Sequence, residues 1–117
     1  MRPMRMTIVA AAVLAGGVLA VRAADSVTGE VIDMSCYLHH PETSKGPSHK
    51  KCAETCAKKG LPMGILTDDS QVFLLLEDHE NPKAYATAVE GAAKTVTVEG
   101  KKVNQGGVNG FVVEDVK

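Results

Sequence analysis

Residues 63–103 read MGILTDDSQVFLLLEDHENPKAYATAVEGAAKTVTVEGKKV, and the order of elements in this stretch decides the fold. Two apolar runs, residues 63–66 and 72–77, flank the polar turn Thr67-Asp68-Asp69-Ser70, which signals a hairpin. The run Val72-Phe73-Leu74-Leu75-Leu76 is apolar at every position and predicts a central strand covered on both faces. Asn81-Pro82 sets a capping residue before a proline at the first helical position. Tyr85, Ala88, Val89 and Ala92 then make one apolar face of a short helix. Residues 95–103 alternate, with Val96 and Val98 set against Thr95, Thr97 and Glu99, as in a strand with one wet face.

The flanks extend this pattern. Residues 26–34 (SVTGEVIDM) are rich in β-branched side chains and predict a first strand, with Gly29 at a bulge or bend. Residues 36–47 read as a loop, punctuated by Pro41, Gly46 and Pro47. Ser48 is a good N-cap for a helix over residues 48–59. That helix stops at Gly60, suited to a left-handed cap, with Pro62 just beyond. Lys58 and Lys59 complement the negative end of its dipole. Residues 104–110 form a Gly/Asn turn, and residues 111–116 a last strand. Five strands with a helix between the third and fourth is the order of an OB-like small barrel. The expected class is therefore mainly β (α+β). A cysteine-bearing helix is inserted between strands one and two, and a second short helix lies between strands three and four. An open antiparallel sheet with two helices fits the same order.

Residues 1–23 predict a secretory signal peptide. Arg2 and Arg5 supply a basic start, residues 7–21 a short uncharged apolar run, and Val21-Arg22-Ala23 a cleavage site. The run is about 15 residues, short for a membrane span, so no stable membrane insertion is expected after cleavage. The expected location is periplasmic or secreted. Residues 24–117 then form a single domain of 94 residues, able to fold alone around a modest core. Of the chain's 13 basic side chains only Arg2, Arg5 and Arg22 leave with the signal, so ten remain against 14 acidic, a net charge of −4. The aromatics are two tyrosines, two phenylalanines and no tryptophan. Nucleic-acid binding needs positive charge for phosphates and aromatic faces for bases, and this chain is poor in both.

Within residues 37–61, an insert in the strand 1–2 connection, lies a cluster of His49, Cys52 and Cys56, with Cys36 just upstream. On a helix at about 100° per residue, His49 to Cys52 is about −60° and His49 to Cys56 about −20°, so the three share a face. Cys36, at the end of the first strand, can meet that face. Three cysteines and a histidine are a known closed zinc set, and thiolates with imidazole also suit copper(I). The expected metal ligands are therefore Cys36, His49, Cys52 and Cys56, with His39, His40 and Met63 as additional candidates. His39 and His40 otherwise read as exposed loop residues and Met63 as core. Asp33 reads as a surface residue near enough to Cys36 to orient a ligand.

Export favours disulfides, and that reading stands beside the metal. Cys52 and Cys56 on one helix have Cβ atoms about 5–6 Å apart, too far for the roughly 3.5–4.5 Å of a disulfide. A staple would therefore join Cys36 to Cys52 or Cys56. Three cysteines leave one thiol over, which gives a disulfide-linked dimer if it pairs between chains. The alternative function is then a metal-free, disulfide-stapled binding module for a protein or small-ligand partner. A third reading, a thiol-active redox partner, needs a cysteine with a depressed pKa. No G-x-S-x-G, H-E-x-x-H or P-loop is present, and the sequence reads against an enzyme.

Several of these segments together resemble a group of small secreted, mostly uncharacterised bacterial proteins with an OB-like core and a Cys…CxxxC insert. The residues that carry the likeness are Thr28-Gly29-Glu30-Val31-Ile32-Asp33, Cys36, Cys52-x-x-x-Cys56 with Gly60-x-Pro62, and Val96-Thr97-Val98-Glu99-Gly100. It spans residues 27–116 and implies the OB-like fold, with no particular activity. Cys52-x-x-x-Cys56 followed by Met63 is also similar to the ligand loop of the binuclear copper site of oxidase subunits. There a histidine stands four residues after the second cysteine; here that position is Gly60, so only Cys52, Cys56 and Met63 carry over.

Overall fold

The computed structural model describes residues 16–17 and 23–117. The expected signal segment falls mostly outside the described residues. Among the described residues no helix is long and apolar enough to cross a membrane.

Five strands close into a barrel: β1 (Asp25–Asp33), β2 (Met63–Leu66), β3 (Val72–Glu77), β4 (Thr95–Gln105) and β5 (Val108–Val116). Their order around the barrel is β1-β2-β3-β5-β4, with β4 returning to β1. All pairings are antiparallel except β3 with β5. This is the expected OB-like barrel rather than an open sheet. Closure leaves no unpaired edge, which suits a short chain.

One bent strand makes closure possible. The first part of β1 pairs with β4, the last part with β2, and Glu30 is opposite both Thr95 and Leu66. Gly29 sits one residue before this exchange of partners, where a Cβ would collide with the Leu66 carbonyl. A second device lies across the barrel. The β4–β5 register shifts between Glu99 and Gly100, and Gly100 has φ of 155°. A Cβ there would collide with the Val112 carbonyl, so the bulge requires glycine.

The inward positions fill the barrel. Val27, Val31, Ile65, Phe73, Leu75, Val98, Phe111 and Val113 are buried. β3 alternates, with Phe73 and Leu75 inside and Val72, Leu74 and Leu76 half-buried, so one face of the strand is covered fully and the other in part. Helix α3 (Pro82–Glu90) joins β3 to β4 and buries Ala84 and Ala88, with Ala92 just past its end. Tyr85 and Val89 pack partly against the same core. Small residues on this face let the helix lie close against β5 and β3.

The β1–β2 connection holds more structure than its sequence suggests. A helix α1 (Met34–His39) begins directly after β1, where a loop was expected from Cys36 onward. The cause is Asp33, whose Oδ1 accepts from the Cys36 backbone N–H at 2.7 Å and caps the helix. A 3-10 turn (Pro47–His49) then leads into α2 (Lys50–Lys58). His49, not Ser48, is the N-cap of α2, and it makes no side-chain cap bond. The stop is as expected: Gly60 has φ of 73°, Gly60 N–H donates to Ala57 O, and Leu61 N–H donates to Cys56 O, both at 3.1 Å. That pair of bonds is a Schellman cap. Ala53 is the fully buried contact of α2, with Cys56 and Ala57 packed partly against the core.

Candidate metal centre

Two carboxylates near the end of β1 position the insert. Glu30 accepts from the Gly46 N–H through both oxygens, at 3.0 and 2.9 Å. Gly46 has φ of 77° and opens the 3-10 turn, so this bond fixes where Pro47–His49 begins. Three residues further along each segment, Asp33 faces His49, with Oδ2 and Nε2 at 2.7 Å. Asp33 is fully buried and the His49 side chain is 12% exposed.

Asp33, Cys36 and His49 each direct one ligand atom to a common point, with these atoms within 4.8 Å of one another. They come from three separate pieces of chain: the last residue of β1, the first turn of α1, and the 3-10 turn. This group can hold a metal ion.

Its charge balance follows from the hydrogen bonds. Burial raises the Asp33 pKa, but the Cys36 thiol, the Cys36 backbone N–H and His49 all stabilise the carboxylate, so the net shift is downward. Asp33 is therefore ionised at neutral pH and only accepts, which puts the shared proton on His49 Nε2. The Cys36 thiol moves the other way, to about 11, through its hydrogen bond to Asp33, then burial, the Asp33 charge and the neighbouring Cys56. Two side-chain donors thus face one carboxylate, which also accepts from the Cys36 backbone N–H. A divalent cation held there would replace the thiol and imidazole protons and would make the thiolate and the carboxylate compatible. The upward shift runs opposite to the depressed pKa of a redox-active thiol.

The structure sorts the residues expected from sequence. Cys36 and His49 belong to the convergent group. Cys56 is half-buried and stands outside the convergent group, near enough to Cys36 to add to the upward shift of that thiol. Cys52 is exposed on α2, outside the group. His39 and His40 are exposed, with ring centroids 6.1 Å apart, and also stand outside it. Met63 is 1% exposed and belongs to the barrel core. All three cysteines are free thiols, so the expected staple from Cys36 to Cys52 or Cys56 is not formed. The expected helical stripe of His49, Cys52 and Cys56 is also corrected. His49 ends the 3-10 turn, with φ of −97° and ψ of 1°, and turns toward Asp33 instead of sharing the face of α2.

Asp33 is the site residue that sequence reading left at the surface. The usable signal was its spacing: an aspartate three residues before Cys36 is in position to cap a helix that carries that cysteine.

A groove of about 660 Å³ lies next to the site, between α1 and the β4–β5 turn. Met34, Leu38, Leu74 and Val108 line it. Leu38 and Val108 are 68% and 57% exposed. No family model, curated protein or solved structure matches this chain.

Proposed function

We propose that this chain is a secreted or periplasmic barrel domain that binds a transition metal, zinc or copper, through Cys36 and His49 with Asp33, and with Cys56 as the nearest further donor. The observation that carries the reading is the convergence of three ligand atoms from three segments, one of them on a fully buried carboxylate. A mixed sulfur, nitrogen and oxygen set suits zinc; copper(I) gains most from the thiolates and the imidazole. Secretion is supported by the basic and apolar pattern of residues 1–23.

Metal content of protein purified without chelator tests the reading. About one zinc or copper per chain is expected for a single site. Cys36→Ser and His49→Ala should each abolish stoichiometric metal while circular dichroism shows the barrel intact. Full metal occupancy in both variants would overturn the assignment.

The groove favours a second reading, a binding module whose ligand lies between the strand 1–2 insert and the β4–β5 turn, a common binding position in this architecture. Leu38→Asp would then abolish capture of that ligand without changing metal content; unchanged capture would remove the groove from consideration.

A further inference from the structure

Cys52 is left without a role by the centre itself, yet its surroundings are specific. At about 100° per residue along α2, Cys56 lies about 40° to one side of Cys52. On the other side, Lys51, Thr55, Lys58 and Lys59 fall within about 120°. Glu54 points about 160° away from Cys52 and pairs with Lys50 at 3.9 Å. The solvent face around Cys52 therefore carries Lys51 and Lys59, with Lys58 at its margin beside Glu54 and Glu90, in a chain that is acidic once residues 1–23 are removed. Burial is graded inward from it. Cys52 is exposed, Cys56 and Cys36 are half-buried, and Asp33 is fully buried.

Resting on the metal reading above, we propose that Cys52 is an entry thiol. Metal arrives as an anionic complex drawn to the lysine face, is taken by Cys52, and passes by way of Cys56 to Cys36 and the buried centre. Each transfer is a ligand exchange without redox change. The incoming thiol gives its proton to solvent and binds as thiolate, while one bond to the previous donor breaks and that donor takes up a proton. Lysines beside an exposed thiol steer an anion by long-range attraction, an effect worth about tenfold or more in association rate and weakened by salt. Cys36 is poorly placed to make the first encounter because it is half-buried within the insert, whereas Cys52 is exposed.

The test uses the full folded domain, with zinc nitrilotriacetate, an anionic chelate, as donor and the aqueous zinc ion as comparison. Cys52→Ser should bind the same amount of zinc at equilibrium with unchanged affinity, but load from the chelate about tenfold more slowly. Exchanging Lys51, Lys58 and Lys59 together for Gln should slow loading from the chelate by a similar factor at low salt. It should not slow loading from the aqueous cation. A loading rate in Cys52→Ser equal to that of the parent would overturn the entry role. So would reduced zinc at saturation in Cys52→Ser, which would make Cys52 a resident ligand. Absence of zinc in the parent protein would instead overturn the metal reading itself.

Discussion

Asp33 is the residue on which the site turns. One oxygen caps α1 and the other holds His49, and both contacts are 2.7 Å long. Asp33→Ala removes the acceptor from two half-buried donors, and an expected loss of about 2–3 kcal/mol follows. Urea unfolding of the metal-free protein measures it; a loss under about 0.5 kcal/mol, the ordinary scale of a surface substitution, would show that the insert is not organised by this side chain. The sign of the pH effect is set by the downward shift of Asp33. Its stabilising contribution is complete above its ordinary value of 3.8 and disappears as pH falls through the lower folded value. The stability gap between parent and Asp33→Asn should therefore be widest near neutrality and close in strong acid, as unfolding curves at several pH values would show.

At the scale of elements, two strand features and one anchor position everything else. Gly100 holds the β4 bulge at φ 155°, against the Val112 carbonyl. Gly100→Ala should cost roughly 2 kcal/mol or more, from a backbone position that side chains rarely adopt and from the collision itself. A thermal midpoint within error of the parent would show that the bulge relaxes freely. Glu30 acts on the insert without touching the metal group. Its bidentate contact with Gly46 N–H sets the start of the 3-10 turn that delivers His49. Glu30→Gln should weaken this contact by roughly 1 kcal/mol and speed exchange of the Gly46 amide by about fivefold to tenfold. Unchanged exchange at Gly46 would show that the turn is held by other contacts. α2 reaches its position through Ala53 and the Schellman cap at Gly60, both independent of metal.

For the whole molecule, Asp33, Cys36 and His49 link β1, α1 and the 3-10 turn to one another, so a metal held there would stabilise the barrel as well as the insert. Zinc free at a hundred times its dissociation constant should add about 2.7 kcal/mol to unfolding. Calorimetric scans with zinc and with chelator check this, and coincident scans would exclude binding to the folded state. The barrel core is a separate matter. Phe111 is fully buried, and Phe111→Ala should cost about 3–5 kcal/mol whether metal is present or not. Equal sensitivity to chelator in that variant and in the parent, read from the same scans, would confirm that core and site act independently.

The order of elements, α1 excepted, was legible in the chain because most of them carry a local signal. Thr67–Ser70 marks a turn, Asn81-Pro82 opens α3, Gly60 closes α2, and alternation marks β4. Those signals depend on backbone preference and on period, which act within a few residues. Cys36 and His49 could also be named, from residue type. What the sequence did not show was their third partner, or which cysteines join them. Asp33 carries no local mark of burial, since a carboxylate is buried only where donors meet it. Those donors come from α1 and from a turn 16 residues away. The helical period placed His49 on α2, whereas Gly46 held by Glu30 sets it in the tight turn before that helix. Residue chemistry alone determined that this chain has the ligands for a soft or borderline metal. The bent β1 strand, by carrying Glu30 and Asp33 to the base of the insert, decided which of them converge.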